Sequence, residues 1–293
     1  MSRTAFNRPS PIKRVRRSKA EMETIRNAVC EVLKADNPMT VRQVFYQLVG
    51  LRVVDKTEAE YKTTVGRLLV EMRKDGEIPF GWIADNTRWM RKPRTYSSLR
   101  GMLELTKKTY RRALWDDQGA YVEIWLEKDA LAGVLMQETR EWDVPLMVTR
   151  GYPSVSYLHE AAMAIRQEAK PSFLYYFGDH DPSGRDITRA TEKGLREFAP
   201  DAEIQFERVA VTAEQIRALR LPTRPTKTTD SRSKGFAGES VEVDAIPAAT
   251  LRAMARSCIE RHIDPETLRR TEMVEAEERA TLDRIVANLG ARS

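Results

Sequence analysis

Phe173-Leu174-Tyr175-Tyr176-Phe177, followed by Gly178-Asp179-His180-Asp181-Pro182-Ser183-Gly184, decides how this chain is read. A run of apolar and aromatic residues bounded by turn residues predicts a short buried strand leading into a helix. Gly178 and Gly184 let the backbone turn tightly, and Pro182 fixes the loop. In an extended Asp179-His180-Asp181 segment, alternate side chains point the same way, so both carboxylates can face one ion while His180 turns aside. Asp181 can equally cap the following helix, and the segment alone leaves both readings open.

Working outward, Tyr121-Val122-Glu123-Ile124-Trp125-Leu126 predicts another buried strand, ending at Glu127. Leu131, Val134 and Leu135 then follow at helical spacing. Residues 145–149 predict a strand that turns at Arg150-Gly151-Tyr152-Pro153 into a helix capped by Ser154, and residues 204–211 predict a fourth strand. Strands alternating with helices imply an α/β fold with a mostly parallel sheet, whose sites lie at the carboxyl ends of its strands. Glu127, Asp179 and Asp181 all fall at such ends. Three carboxylates converging there repel one another unless a hard cation neutralises them. Mg²⁺ is the expected ion, because it takes oxygen ligands and keeps waters that phosphate oxygens can replace. This metal-binding region is expected over residues 116–293, with Met254, Ile259, Met273 and Leu282 on C-terminal helices that pack on the sheet or on a partner.

The preceding region, residues 21–115, has a different period. Ser18 with Glu21, Thr40 with Gln43, and Thr57 with Glu60 each make a capping-box pair before an apolar stripe. The stripes are Met22, Ile25, Val29, Val32 and Leu33; then Val41, Val44, Phe45 and Leu48; then Tyr61, Val65, Leu68, Leu69 and Met72. Asn37-Pro38, Gly50 and Asp75-Gly76 stop the three helices. Residues 78–83 read as a short strand before the Asp85-Asn86 turn, so a winged helix-turn-helix is expected. Its third helix, carrying Lys62, Thr63, Thr64, Arg67 and Lys74 on the outer face, would enter a DNA major groove.

Charge supports that reading. The 293 residues carry a formal net charge of +6 that is unevenly divided. The arm of residues 1–20 has seven Lys/Arg and no acid, and residues 88–112 have nine Lys/Arg against Glu104 alone. Clustered cations of this kind neutralise phosphates by counterion release, which points to double-stranded DNA and to Arg88, Arg91, Lys92 and Arg94 among its contacts. Trp89 and Tyr96 between these cations can stack on bases, or Trp89 can belong to the wing core. Cys30 and Cys258 lie far apart in helical patterns, so neither a disulfide framework nor a zinc cluster is expected. No apolar run approaches a membrane span and no apolar segment follows the basic N-terminus, so the expected location is cytoplasmic and nucleoid-associated, without a membrane.

Glu127 at the end of one strand with the later Gly178-Asp179-His180-Asp181-Pro182-Ser183-Gly184 resembles the Toprim domain of topoisomerases, bacterial primases, OLD-type nucleases and recombination-repair proteins. With an upstream winged helix, the chain is similar to the A subunit of topoisomerase VI and its meiotic double-strand-break relatives, most of all in size to the standalone mini-A proteins. The resemblance spans roughly residues 20–260. That family carries its nucleophilic tyrosine in a motif like Arg-x-x-Tyr-Tyr, and Arg42-Gln43-Val44-Phe45-Tyr46 matches it with Phe45 at the first aromatic. The resemblance implies Tyr46 as nucleophile, Arg42 and Glu127 beside it in catalysis, and Mg²⁺ on Glu127, Asp179 and Asp181. It also implies a homodimer whose sites combine two protomers. No Gly-x-x-x-x-Gly-Lys-Ser/Thr run is present, so ATP-driven gating would need a separate ATPase subunit.

The residues themselves place Arg42 and Tyr46 four apart on one helical face, where a guanidinium can stabilise a phosphorane and a phenol can attack it. Tyr46 can instead pack at a domain seam. Three functions follow: type IIB topoisomerase-like cleavage through a phosphotyrosine; hydrolysis by the same acids, as in Toprim nucleases and the Wadjet defence subunit; or DNA binding and assembly without catalysis. Lys128 either touches the scissile phosphate or moderates the charge of the acids. Glu242 and Asp244 alternate on an expected strand, as further metal ligands or as a solvated face. Residues 226–235 are a polar basic loop, and His159 and His262 are expected to be structural.

Overall fold

A computed structural model describes residues 17–84, 94–225, 236 and 239–290. The arm over residues 1–16, the cations Arg88, Arg91 and Lys92, Trp89, and the basic loop of residues 226–235 lie outside the described residues.

The first part is a helical bundle. Helices α1 (Lys19–Ala35) and α2 (Val41–Gly50) both begin with complete capping boxes, Ser18 with Glu21 and Thr40 with Gln43. The third helical stretch starts as a π-helix at Glu60–Val65 and continues as α3 (Gly66–Lys74). Of its expected capping pair only the Thr57 half forms, with the Glu60 amide donating to Thr57 Oγ1 at 3.2 Å. The Glu60 carboxylate instead pairs with Arg17 at 2.5 Å.

The strand expected over residues 78–83 is a 3₁₀ turn at Phe80–Trp82. Pro79 has no N–H to give a ladder, and the chain contributes only a single parallel bridge, Ile83 to Met39. Among the described residues the three helices therefore stand without a β-wing. Helix α4 (Leu99–Thr109), capped by Ser98, leads out of the bundle.

The second part is the expected alternation. Strands β1 (Tyr121–Leu126), β2 (Leu146–Val148), β3 (Ser172–Phe177) and β4 (Ile204–Ala210) form one wholly parallel sheet in the order β2-β1-β3-β4. They alternate with helices α5 (Ala132–Glu141), α6 (Val155–Glu168) and α7 (Pro182–Phe198). After β4 come α8 (Ala213–Ala218), a 3₁₀ turn at Val243–Ala245, α9 (Ala248–Glu260) and α10 (Pro265–Gly290). The architecture is Rossmann-like α/β.

Alternation along β1 sorts its side chains between two cores. Tyr121 and Trp125 join Leu158, Ile165, Ile187 and Leu195 from α6 and α7. Val122, Ile124 and Leu126 join Val134, Leu135, Leu251 and Ile259 from α5 and α9. That second core runs on without a break into Val44, Leu48, Leu68 and Met72 of the bundle. Each such buried side chain contributes about 1.5–3 kcal/mol, so a shared core fixes the bundle against one face of the sheet. Helix α2 lands on the 3₁₀ turn at Val243–Ala245, and this contact positions the site.

The C-terminal helices divide their work: α9 packs on α5, and α10 packs on α4. Part of the basic segment faces protein. Lys107 pairs with Asp283 at 2.6 Å, Arg112 with Glu278 at 3.1 Å, and Arg111 donates to the carbonyl of Glu141 at 2.7 Å. Among the described residues no helix is long and apolar enough to cross a membrane.

Candidate functional site

Register brings the first acids together. Leu126 pairs with Phe177, so Glu127 and Gly178 leave the sheet side by side, and the Glu127 amide donates to the Phe177 carbonyl at 2.9 Å. The Asp179 amide then donates to Glu127 Oε2 at 3.0 Å. Two glycines make the approach possible. A Cβ at Gly178 would stand 2.5 Å from Glu127 Oε2, and one at Gly184 would collide with the Asp179 carbonyl oxygen. Arg208 of β4 braces the same loop, donating to the carbonyls of Gly178 and Gly184 at 3.1 Å each and also to that of Asp179.

Asp181 is the N-cap of α7, its Oδ1 accepting from the Gly184 amide at 2.7 Å. Its other oxygen lies 3.6 Å from Arg224. His180 turns aside as the alternation requires: its backbone bridges Val241, and its Nδ1 lies 3.2 Å from the Val211 carbonyl oxygen.

A second pair of acids closes on this loop. Glu242 and Asp244, expected on a strand, lie at and within the 3₁₀ turn and are buried, not a solvated face. The Val243 amide donates to Asp179 Oδ1 at 2.8 Å, which ties this turn to the first acid loop. Lys128 reaches all three carboxylates, with Nζ 2.7 Å from Asp244 Oδ2, 3.1 Å from Asp179 Oδ1 and 3.3 Å from Glu242 Oε2. Glu242 also receives Arg42 at 3.0 Å and Arg224 at 2.8 Å. Arg42 stacks over the Tyr61 ring at 4.4 Å. Tyr46 sits one turn further along α2, on the same side as Arg42, and is 7 % exposed. The Arg42 face of α2 and the acid cluster thus meet within one chain.

The electrostatics divide in two. Burial pushes the Glu127 carboxyl up to about 7, with the charge of Asp179 acting the same way. Burial also holds Asp179 above its ordinary value, although Lys128 and the Val243 amide oppose it. Burial would raise Glu242 too, but Lys128, Arg42 and Arg224 outweigh it and keep that carboxyl below the ordinary range. Burial acts against the Lys128 ammonium, yet Asp244, Asp179 and Glu242 hold it well above the usual lysine value. For Tyr46, burial pushes the phenol up to about 12, with Glu242 adding and Arg42 opposing.

An open cleft of about 650 Å³ lies over this junction, lined among others by Arg42, Tyr61, Arg73, Glu127, Lys128 and Arg150. Tyr46 is not among its lining residues. Lys62 and Arg67 stay on the outer face of the third helical stretch, paired among the described residues only with Glu58 and Glu71 one turn away, and Arg94 is exposed.

The donor set suits Mg²⁺. It is all oxygen, the glycines clear the space beside Glu127, and Mg²⁺ needs only one or two carboxylates besides water. Among the described residues no three Asp, Glu, His or Cys side chains are arranged to hold a metal ion as they stand, and Asp181 caps α7 through one of its oxygens.

Sequence reasoning passed over Arg208 and Arg224, and left Lys128 between two roles. Arg208 gave little signal, because it lies half-buried on the edge strand β4 among the polar residues Gln205 and Glu207. Arg224 gave none, because its partners Asp181 and Glu242 are set by tertiary folding alone. Compared with known proteins, the chain matches no family model and no curated protein.

Proposed function

We propose that this chain cleaves double-stranded DNA by transesterification, with Tyr46 as nucleophile. The phenolic oxygen attacks the phosphorus, a tyrosyl–phosphate bond forms, the bond from phosphorus to one deoxyribose oxygen breaks, and that oxygen departs with a proton. The observation that carries this reading is the 3.0 Å ion pair between Arg42 and Glu242, which sets the polar face of α2 against the acid cluster. Arg42 then stands between the phenol and the cleft, where a guanidinium can stabilise the charge of the phosphorane.

Glu127 and Asp179, with Asp181, would hold Mg²⁺. When bound it supplies a Lewis acid for a phosphate oxygen. The chain's own groups do the rest: Arg208 and the two glycines keep the acid loop in place, and Lys62, Arg67 and Arg94 face outward to neutralise DNA phosphates. A homodimer, a separate ATPase subunit and a nucleoid-associated location in the cytoplasm complete the proposal, on the resemblance to the topoisomerase VI A subunit.

The burial of Tyr46, with its absence from the cleft lining, favours a second reading in which the acids direct a water and the chain is a Toprim nuclease. Supercoiled plasmid incubated with the protein and Mg²⁺, then stopped with detergent, distinguishes them. Protein-linked ends support transesterification and free ends support hydrolysis, while cleavage that persists in Asp179→Ala excludes both.

A further inference from the structure

Lys128 and the acids around it are divided unevenly. Three carboxylate oxygens, from Asp244, Asp179 and Glu242, lie 2.7, 3.1 and 3.3 Å from its Nζ. Asp244 and Glu242 accept hydrogen bonds from the ammonium and Asp179 pairs with it by charge, so Lys128 is engaged on the acid side of the cluster. Glu242 is compensated further by Arg42 and Arg224. Glu127 is different. Its Oε2 accepts only a backbone amide, that of Asp179 at 3.0 Å, and among the described residues no ammonium or guanidinium lies within ion-pair distance of it. Ion-paired positive charge is therefore concentrated on the Glu242 and Asp244 side of the cluster, while near Glu127 the Arg208 guanidinium is spent on the carbonyls of Gly178, Asp179 and Gly184.

We propose that Lys128 is the resident cation of the acid cluster, its ammonium standing where a second divalent ion would otherwise bind, so that the site takes a single divalent ion on the Glu127 and Asp179 side. This rests on the magnesium site of the proposed function. Sites that cleave phosphodiesters with two metals clamp both the attacking and the leaving oxygen. Here the second place is filled by a covalently attached charge, which fixes Glu242 and hence Arg42 before any ion or DNA arrives. Lys128 is a positioning residue in this account and does not touch the substrate.

The test is calorimetric titration of the full-length protein with MnCl₂ alone, in the absence of DNA, on wild type, Lys128→Met and Lys128→Arg. One ion is expected in wild type and in Lys128→Arg, and two in Lys128→Met, where the ammonium no longer fills the place between Asp244 and Glu242. Two ions in wild type overturn the proposal, and so does a single ion in Lys128→Met, with the magnesium reading left standing. No ion in wild type overturns the magnesium reading and this proposal with it. Asp244→Asn serves should Lys128→Met fail to fold. It is expected to keep the single ion, and its loss would place that ion on the Lys128 side and overturn the assignment.

Discussion

Arg42, in the first turn of α2, donates its guanidinium to Glu242 Oε2 at 3.0 Å across 200 residues of chain. This contact joins the helix that carries Arg42 and Tyr46 to a carboxylate beside the sheet, at the seam between the bundle and the α/β part. Glu242 is buried and shared with Lys128 and Arg224, so the seam has a built-in reserve of positive charge.

That reserve sets the expected cost of Arg42→Ala. Removing one partner of a buried pair usually costs about 3–5 kcal/mol, but two cations remain on Glu242, so a loss on the order of 1–2 kcal/mol is expected. Urea denaturation measures it. Cleavage falls much further, by about 10²-fold, if the guanidinium stabilises the phosphorane. Arg42→Lys restores most of the stability and little of the rate.

Glu123 provides a pH signature away from the site. It is buried in β1, accepts from Tyr121 Oη at 2.9 Å and Trp125 Nε1 at 2.6 Å, and burial pushes its carboxyl up to about 7. A folded-state value above the unfolded one means the folded chain holds the proton more tightly. Its contribution is therefore full below about pH 4.5 and is lost as pH rises to about 7. The stability of wild type minus that of Glu123→Gln, measured in EDTA, is expected to fall by on the order of 2–3 kcal/mol across that window. A difference that does not change with pH would show that Glu123 does not titrate there.

Gly184→Ala tests the packing of the acid loop. Its Cβ would overlap the Asp179 carbonyl oxygen and approach Glu127 Oε2 to 3.2 Å. Backbone must move, so a loss of about 2 kcal/mol or more is expected together with loss of divalent binding. Thermal melts with and without MnCl₂ read both effects.

Lys62 and Arg67 are exposed and, among the described residues, paired only within their own helix, so replacing both with alanine is expected to change stability by a few tenths of a kcal/mol. DNA affinity should weaken equally for all sequences, and the slope of log K against log salt should drop by about 2. Fluorescence anisotropy at several salt concentrations gives that slope.

The sheet was legible because its signals are local. Buried runs such as Tyr121–Leu126 and the Gly178 to Gly184 turn specify strand, loop and helix within a few residues. The same holds for the first two helices, whose capping boxes formed as written. Residues 78–83 misled because Ile78, Phe80 and Ile83 suggest a strand while Pro79 removes a donor and the turn closes on itself. Glu242 and Asp244 misled for the opposite reason. Alternating acids look solvated in isolation, and only Lys128, Arg42 and Arg224, distant in sequence, make their burial tolerable. Asp181 stood at a position fit for a ligand or a cap; its Oδ1 caps α7, and its other oxygen lies 3.6 Å from Arg224.

The central claim is that Tyr46 becomes covalently joined to DNA. The direct measurement is mass spectrometry of the protein after incubation with plasmid and Mg²⁺, detergent denaturation, and exhaustive digestion by nuclease and protease. The account predicts a nucleotide phosphate on the peptide containing Tyr46, absent from Tyr46→Phe. Cleaved plasmid with that peptide unmodified would contradict it.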